Sequence, residues 1–362
     1  MESSTYLVQM KGTSTHLAQV TGTYTASFFT VDQYLLVLQV LSVSYTVFSS
    51  FGVATNSLNL ATFVQIGPTD GVTVSFLCLS VTDLGFSLVS LAGGVATILS
   101  MLEAKLRVRF QIDPYAVTVF CGTVSSMLYV VTVLNTTFLA VARCLCVARP
   151  LHFKHLVTTK VSVVFFLVFT TFSLVCFVPV LANMGMMDTA DGATNKSRRT
   201  LVLSAQRPAL NDAALFVSNL VLPISTEVIT GACVVVLVNC LRSASASRQT
   251  LTGSSRTSAV ESSKLTGKDL QVVKQVAFIA CLYVVCNTPK TVIAIGTFAE
   301  PEFKLERKLK DIYITSVGIR TIFEIINASL NFVIYFHFNS KFRRLCFHQQ
   351  QFFRRSNFQY IN

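Results

Sequence analysis

The sequence predicts an all-α membrane protein, a bundle of seven transmembrane helices with a short amphipathic C-terminal helix. Of its 362 residues, 52% are hydrophobic and only 13% are charged, and the mean hydropathy is +0.60. Soluble domains carry roughly 25% charged residues, so the composition excludes a soluble enzyme or a disordered chain. A bilayer-spanning helix needs about 20 mostly apolar residues, and seven runs are long enough. They cover 34–64, 72–102, 115–142, 161–187, 209–241, 271–299 and 312–338.

The basic charge and the cysteines both fit a membrane protein. The net charge of +12 comes from residues that largely flank the apolar runs, where Lys and Arg meet lipid headgroups. We therefore expect membrane lipids as partners and no nucleic acid. The ten cysteines contain no CxxC pair and no zinc-like spacing to His, so they predict neither a disulfide framework nor a zinc site.

Seven spans place the two termini on opposite sides of the membrane. The segments that would be cytoplasmic with the N-terminus outside carry slightly more Lys and Arg than the others, which favours that orientation. Asn195 begins an N-x-S glycosylation sequon in a loop that this orientation places outside. We expect a plasma-membrane protein with an extracellular tail at 1–33, a transmembrane domain at 34–338 and a cytoplasmic helix and tail at 339–362.

One low-complexity segment, the Ser/Thr-rich stretch 242–268, is predicted to be a cytoplasmic loop. Its hydroxyl side chains lie close to arginines, a pattern that suits basophilic kinases. A solvated linker would have the same composition. Both interpretations stay open.

Five charged residues lie well inside the predicted spans. A charge in hydrocarbon costs at least about 2.5 kcal/mol unless it faces the interior of the bundle, so each is a candidate functional residue. They are Asp83, Glu227, Lys290, Arg320 and Glu324.

Polar motifs recur on successive spans. They read GVATN at 52–56, LSVTD at 79–83, ARC at 142–144, YVVCNTP at 283–289 and NASLNFVIY at 327–335, with Pro223 in the fifth span. Over about 35–347, these motifs and their order resemble those of the rhodopsin-like (class A) G-protein-coupled receptors. The last motif also resembles that of invertebrate, especially molluscan, FMRFamide-receptor-like and chemosensory receptors.

The resemblance implies a receptor that binds an extracellular small molecule or peptide and activates a heterotrimeric G protein, with receptor kinases and arrestin as further partners. Its implied coupling switch comprises Arg143, Asp269, Pro289, Asn331 and Tyr335. The chain departs from the family at three places, because the family has an acid at 142, Trp at 287 and Pro at 332. Without the acid before Arg143, we expect raised basal activity unless Asp269 alone restrains that arginine.

The resemblance also implies a polar pocket in the middle of the bundle, formed by Asp83, Thr132, Asn327 and Asn331. Hard oxygen ligands suit a sodium ion. A water-filled network that only joins the helices is the alternative.

Residues in the outer half of the spans bear on the ligand. The candidates are Ser125, Tyr129, Lys290, Arg320 and Glu324. Ser125 stands where amine receptors of the family have an aspartate, which argues against a monoamine. Lys290 and Arg320 predict an anionic ligand group. The alternative is a Lys290–Glu324 ion pair that joins the sixth and seventh helices.

Two cysteine features concern the ends of the bundle. The family ties the top of the third helix to the second outer loop by a disulfide, but this chain has Thr118 there and no cysteine at 183–212. That disulfide is therefore predicted to be missing. Cys346 follows three basic residues and is a candidate palmitoylation site, with a free structural thiol as the alternative.

The sequence also bears on classes of protein other than signalling receptors. The five histidines lie in tails, loops or span ends with no catalytic-triad or metal-ligand arrangement, so we do not expect an enzyme. A seven-helix ligand-gated channel or a transporter is the rival from another class. A degenerate receptor that does not couple is the third interpretation.

Overall fold

A computed structural model describes residues 29–106, 108–148, 158–190, 197–251, 267–303 and 307–347. Within these ranges seven helices are long and apolar enough to cross a membrane, which confirms the predicted bundle. The helices are α1 Val31–Ile66, α2 Gly71–Leu106, α3 Pro114–Ala148, α4 Thr159–Ala182, α5 Arg207–Leu251, α6 Gly267–Ala299 and α7 Lys310–Phe338. A short helix at 340–347, α8, follows α7. The chain is a multi-pass membrane protein.

Helix ends follow from local side-chain chemistry. Thr30 and Gln33 form a reciprocal capping box at the start of α1, and Gly67, with φ of +77°, ends that helix. Asp70 accepts hydrogen bonds from the backbone N–H of Val72 and of Thr73, both at 2.9 Å, before α2. Burial opposes the charged carboxylate of Asp70, but these hydrogen bonds prevail and lower its pKa.

The bundle is arranged around α3, which packs against α2, α4, α5 and α6, while α7 closes the ring between α1 and α6. Small residues let the helices approach closely. A Cβ atom at Gly52 of α1 would lie 2.6 Å from Ser87 Oγ of α2 and 2.7 Å from Ser329 Oγ of α7. A larger residue at Gly52 would require both serine hydroxyls to move, so glycine favours this close three-helix contact.

A β-hairpin stands where the fourth apolar run was expected to continue. The predicted span 161–187 is too long, because α4 ends at Ala182 and β1, Met184–Ala190, pairs antiparallel with β2, Ser197–Leu203. Met184 and Leu201 are buried against Ala116 of α3, so the apolar residues after α4 serve the strand contact. Hydropathy alone does not distinguish this use from a longer helix.

Helix also covers both ends of the segment predicted as a loop at 242–268. The helix α5 continues to Leu251, and α6 begins at Gly267. The α5 helix contains a π-helical turn, Val217–Val221, immediately before Pro223. Such turns arise where the regular hydrogen-bond ladder is interrupted.

The end of the bundle opposite the hairpin is closed by an aromatic cluster. Tyr335 contacts Phe63 edge-to-face, with ring centroids 4.9 Å apart, and Phe342 of α8 lies 5.2 Å from Phe63. All three side chains are buried. Burial of an aromatic side chain is strongly stabilising, so these contacts hold α8 against α1 and α7.

Candidate functional site

Asp83 lies at the centre of the bundle, fully buried, and joins three helices. Its Oδ1 accepts a hydrogen bond from Thr132 Oγ1 of α3 at 2.8 Å, and its Oδ2 accepts one from Asn331 Nδ2 of α7 at 2.9 Å. Thr132 Oγ1 also lies 3.4 Å from Thr82 Oγ1. We call Asp83, Thr132 and Asn331 the central polar cluster. Its one charge is negative, and the hydrogen-bond donors around it are neutral.

The fourth residue predicted for this pocket is buried nearby without a bond to the carboxylate. Asn327 lies one helical turn before Asn331, but among the described residues the Asp83 carboxylate accepts only from Thr132 and Asn331. Another amide connects α1 to α7, because Asn56 Nδ2 donates to the carbonyl oxygen of Ala328 at 3.0 Å. Three of the four predicted residues thus meet, and Asn56 adds a further interhelical bond.

A second buried group, the charged cluster, comprises Lys290, Arg320 and Glu324. Lys290 Nζ of α6 lies 3.2 Å from Glu324 Oε1 of α7, and Arg320 Nε lies 3.5 Å from the same oxygen. The side chains are 6%, 13% and 7% exposed, respectively. The Lys290–Glu324 ion pair, which the sequence left as an alternative, is present. Two cations share one carboxylate, so the cluster keeps one formal positive charge.

Tyr129 lies between the two clusters. Lys290 Nζ is 4.8 Å from the centre of its ring, a cation–π contact. The same ring packs with Phe86, Tyr283 and Ile325 in a buried layer. Ser125, one turn earlier on α3, is also buried, and its Oγ lies 3.4 Å from Ser90 Oγ. Tyr129 therefore belongs to the surroundings of Lys290, and Ser125 contacts α2.

The contacts between α5 and α6 were not predicted. Thr226 Oγ1 and Tyr283 Oη lie 2.6 Å apart. Glu227 accepts hydrogen bonds from the hydroxyls of Thr288, at 2.8 Å, and of Thr291. Glu227, one of the five charged residues inside the predicted spans, thus has its carboxylate engaged by hydroxyls on either side of Pro289. Threonines spaced three apart beside a helix proline were the available signal.

The predicted switch residues lie at the end opposite the hairpin or along α6. Arg143 is half-buried in the last turns of α3, next to the buried Ala142. Asp269 is in the first turn of α6, and its side chain lies outside the described part of the structure. Pro289 interrupts the hydrogen-bond ladder of α6 one residue before Lys290. Tyr335 is buried, and its hydroxyl has no hydrogen-bond partner among the described residues.

An ionic clamp ties the hairpin to the bundle. Arg198 of β2 binds Glu103 of α2 through both terminal nitrogens, at 2.6 and 3.2 Å, and Asp113 before α3 at 3.0 Å. Arg109 adds a 3.3 Å contact to Glu103. We call Glu103, Asp113, Arg198 and Arg109 the hairpin clamp. It holds two acids and two bases, so its formal charges balance.

The clamp stands where the sequence predicted a missing disulfide. All ten cysteines lie within the described ranges, and all are free thiols. Thr118 bonds to Thr97 Oγ1 at 3.3 Å. Backbone bonds support the clamp, because Asp113 N donates to Arg199 O and Arg199 N to Gln111 O, both at 3.0 Å. The sequence signal for the clamp was an acid near the end of one span, Glu103, another before the next span, Asp113, and the adjacent arginines Arg198 and Arg199 in a later segment.

The two predicted modification sites, Asn195 and Cys346, stay predictions. Asn195 lies outside the described residues. Cys346 is fully buried in the cluster of Phe63 and Phe342, and this burial raises the pKa of its thiol. A buried, protonated thiol is a poor nucleophile, so acylation would require Cys346 to become accessible, and its palmitoylation stays a prediction.

The family model described as serpentine type 7TM GPCR chemoreceptor Srw matches residues 111–349. That stretch runs from the clamp loop before α3 to the end of α8, and it includes the hairpin, the charged cluster and Asn331. No curated protein matches the chain.

Proposed function

Because the chain belongs to the Srw family of serpentine 7TM GPCR chemoreceptors, we propose that it is a plasma-membrane chemosensory receptor that activates a heterotrimeric G protein. The ligand arrives from the hairpin side, which is extracellular in this proposal, and binds among α3, α6 and α7. The coupling surface is at the opposite end of the bundle, beside Arg143. The chain acts as a receptor and not as an enzyme.

The observation that carries this proposal is that Lys290 of the charged cluster lies next to the proline of α6. Lys290 directly follows Pro289, and Arg320 lies ten residues into α7, about 15 Å along that helix at 1.5 Å per residue. A ligand that contacts Lys290 therefore acts beside the point where α6 lacks a backbone hydrogen bond. A kinked helix can turn a small change at that point into a larger movement of its far end.

The switch assignments follow the rhodopsin-like pattern. In this proposal Arg143 contacts the G protein in the active form, Asp269 restrains it in the inactive form, and Asn331 and Tyr335 move with α7. The half-burial of Arg143 in the last turns of α3 supports such a role, and the residue immediately before it is Ala142 and not an acid. A peptide ligand of the FMRFamide type is the finer form of the same proposal.

Asp83 is the proposed sodium ligand, and the residues around it fit. Asn331 Oδ1 is buried and has no donor within the described ranges, and the Thr132 and Thr82 hydroxyls lie beside the carboxylate. Hard oxygens in this number suit a monovalent cation. We expect sodium, compared with choline at equal ionic strength, to raise the Tm of the purified wild type but not of Asp83→Asn. Equal responses would favour the water network.

Modification at the two faces completes the proposal. Asn195 carries a glycan outside, and the cytoplasmic segment between α5 and α6 is a substrate for receptor kinases and a contact for arrestin. A glycosidase-sensitive mobility shift that disappears in Asn195→Gln would support the orientation. The opposite orientation, expected for a seven-helix ligand-gated channel, would leave both proteins unshifted.

The direct test is nucleotide exchange on G proteins in membranes that contain equal surface amounts of each variant, without ligand. We expect wild type to exceed mock membranes and Arg143→Ala to lose most of that signal. Leu145→Ala is the matched control, because Leu145 lies two residues along α3 and is exposed. Equal exchange in wild type and Arg143→Ala, or an ion current that is independent of G proteins, would contradict the proposal.

A further inference from the structure

The charged cluster is electrically incomplete. Within the described residues, Glu324 is the only carboxylate within 4.0 Å of Lys290 Nζ or of the Arg320 guanidinium. Glu227 is bonded to Thr288 and Thr291, and Asp83 to Thr132 and Asn331. An uncompensated charge inside a membrane protein is costly. The cluster therefore favours one further negative charge.

The Arg320 side chain is arranged to receive that charge. Its contact with Glu324 is made through Nε, at 3.5 Å. Among the described residues, its two terminal nitrogens make no hydrogen bond, and the ion pair of this guanidinium is with Glu324. These nitrogens form the planar fork that binds a carboxylate through two parallel hydrogen bonds. The fork of Arg320 is thus available, and the side chain is 13% exposed.

Buried polar groups without partners lie beside the same cluster. Asn287 precedes Lys290 by one helical turn, is fully buried, and has neither amide atom hydrogen-bonded among the described residues. The hydroxyl of Tyr129, whose ring contacts Lys290, is also buried and has no hydrogen-bond partner in the part of the chain that the structure describes. A buried polar group that makes no hydrogen bond costs about 1–3 kcal/mol. Both groups can donate to an anion.

We propose that Arg320 and Lys290, with Asn287 and Tyr129 beside them, bind the carboxylate of a small extracellular molecule that carries one negative charge. One charge brings the cluster to neutrality, whereas a phosphate dianion would leave it negative. The carboxylate pairs with the Arg320 fork, and Lys290 stays bound to Glu324. This inference rests on the proposed receptor function and names the chemical class of its ligand.

The test measures binding to the purified full chain in detergent, without a G protein. The probes are straight-chain monocarboxylates from acetate to hexanoate, each compared with the primary amide of the same length at equal sodium and ionic strength. We expect at least one carboxylate to raise the wild-type Tm by about 2 °C or more, with no shift from its amide. Arg320→Gln should remove the shift.

Three further variants keep the result interpretable. Arg320→Lys retains the charge without the fork and should keep a reduced shift. Glu324→Gln adds a second unpaired cation and should give a larger carboxylate shift than wild type. Arg343→Gln removes an exposed arginine of α8 and should leave the shift unchanged. If Arg320→Gln does not elute as a single species, Arg320→Lys replaces it, and a shift smaller than that of wild type is then the expected result.

The inference is overturned if no carboxylate shifts wild type, if the amides act equally, or if Arg320→Gln keeps the full shift. These outcomes are distinguishable from failure of the receptor proposal. Loss of nucleotide exchange leaves this binding measurement unaffected, and a receptor that activates G proteins without a carboxylate shift contradicts the ligand class alone.

Discussion

The hairpin clamp and the charged cluster are both buried ionic groups, but they differ in charge balance. In the clamp, Arg198 and Arg109 face Glu103 and Asp113, and Arg198 uses both terminal nitrogens. In the charged cluster, two cations share a single oxygen of Glu324. A charge-balanced group needs no further ion for neutrality, although Arg198 Nε is buried without a hydrogen-bond partner among the described residues. The contrast underlies our proposal that the cluster binds a ligand, whereas the clamp joins the hairpin to the bundle.

The largest effect should come from breaking the clamp. Arg198→Ala leaves two buried carboxylates without their principal partner, which we expect to cost about 3 kcal/mol of stability. Thermal unfolding of the purified protein and cell-surface expression should both fall. Arg199→Ala is the matched control, since the neighbouring Arg199 and its partner Asp188 are 61% and 63% exposed. Equal losses of stability in the two variants would mean that breaking the clamp is not the cause of the destabilisation.

Substitutions in the charged cluster should act in opposite directions without ligand. Glu324→Gln leaves two cations facing each other and should destabilise the protein by about 2 kcal/mol. Arg320→Gln leaves a neutral Lys290–Glu324 pair and should maintain or raise stability. The midpoint of thermal unfolding in carboxylate-free buffer measures both. A large loss in Arg320→Gln would show that its contact with Glu324 is structural.

The loss of one neutral interhelical hydrogen bond provides a reference for the stability effects expected in the two ionic groups. Thr226→Val removes the bond to Tyr283 between α5 and α6, and we expect a loss of about 1 kcal/mol in chemical or thermal unfolding. Ser225→Ala changes the adjacent exposed hydroxyl, which bonds only within its own helix, and should have little effect. A loss of stability in Thr226→Val as large as that in Arg198→Ala would show that the ionic groups contribute no more than a neutral hydrogen bond.

The smallest expected effect concerns the exposed cap at Asp70. Its folded pKa is lowered, so its contribution is present above the unfolded value, near pH 4, and is lost as the pH falls through the folded value. Asp70→Ala should cost about 0.5 kcal/mol at neutral pH. The difference from wild type should shrink below about pH 4. A difference that is constant with pH would exclude the charged cap as its cause.

Much of the fold was predictable because apolar runs of membrane length dominate the sequence. The seven spans and the partners Asp83, Thr132 and Asn331 follow from residues at regular helical positions, although motif resemblance was needed to bring three separate helices together. The pairing of Lys290 with Glu324 was open because a sequence does not determine whether a charge faces a neighbour or a ligand.

The hairpin and its clamp could not be predicted from the sequence alone. Arg198 is 95 residues from Glu103 and 85 from Asp113. Contacts at such separations between loops leave no periodic pattern. The apolar residues of β1 also extend the hydropathy signal of α4, which placed the end of that span five residues too late. Loop conformation depends on these tertiary contacts and not on local preference.

The central claim, that one ionic group is structural and the other binds, is tested most directly by one experiment. Thermal unfolding of Arg198→Ala and Arg320→Gln is measured with and without the carboxylate that shifts wild type most. The account predicts that Arg198→Ala unfolds at lower temperature but keeps the carboxylate shift, whereas Arg320→Gln keeps its stability but loses the shift. The reverse pattern, or loss of the shift in both variants, would contradict it.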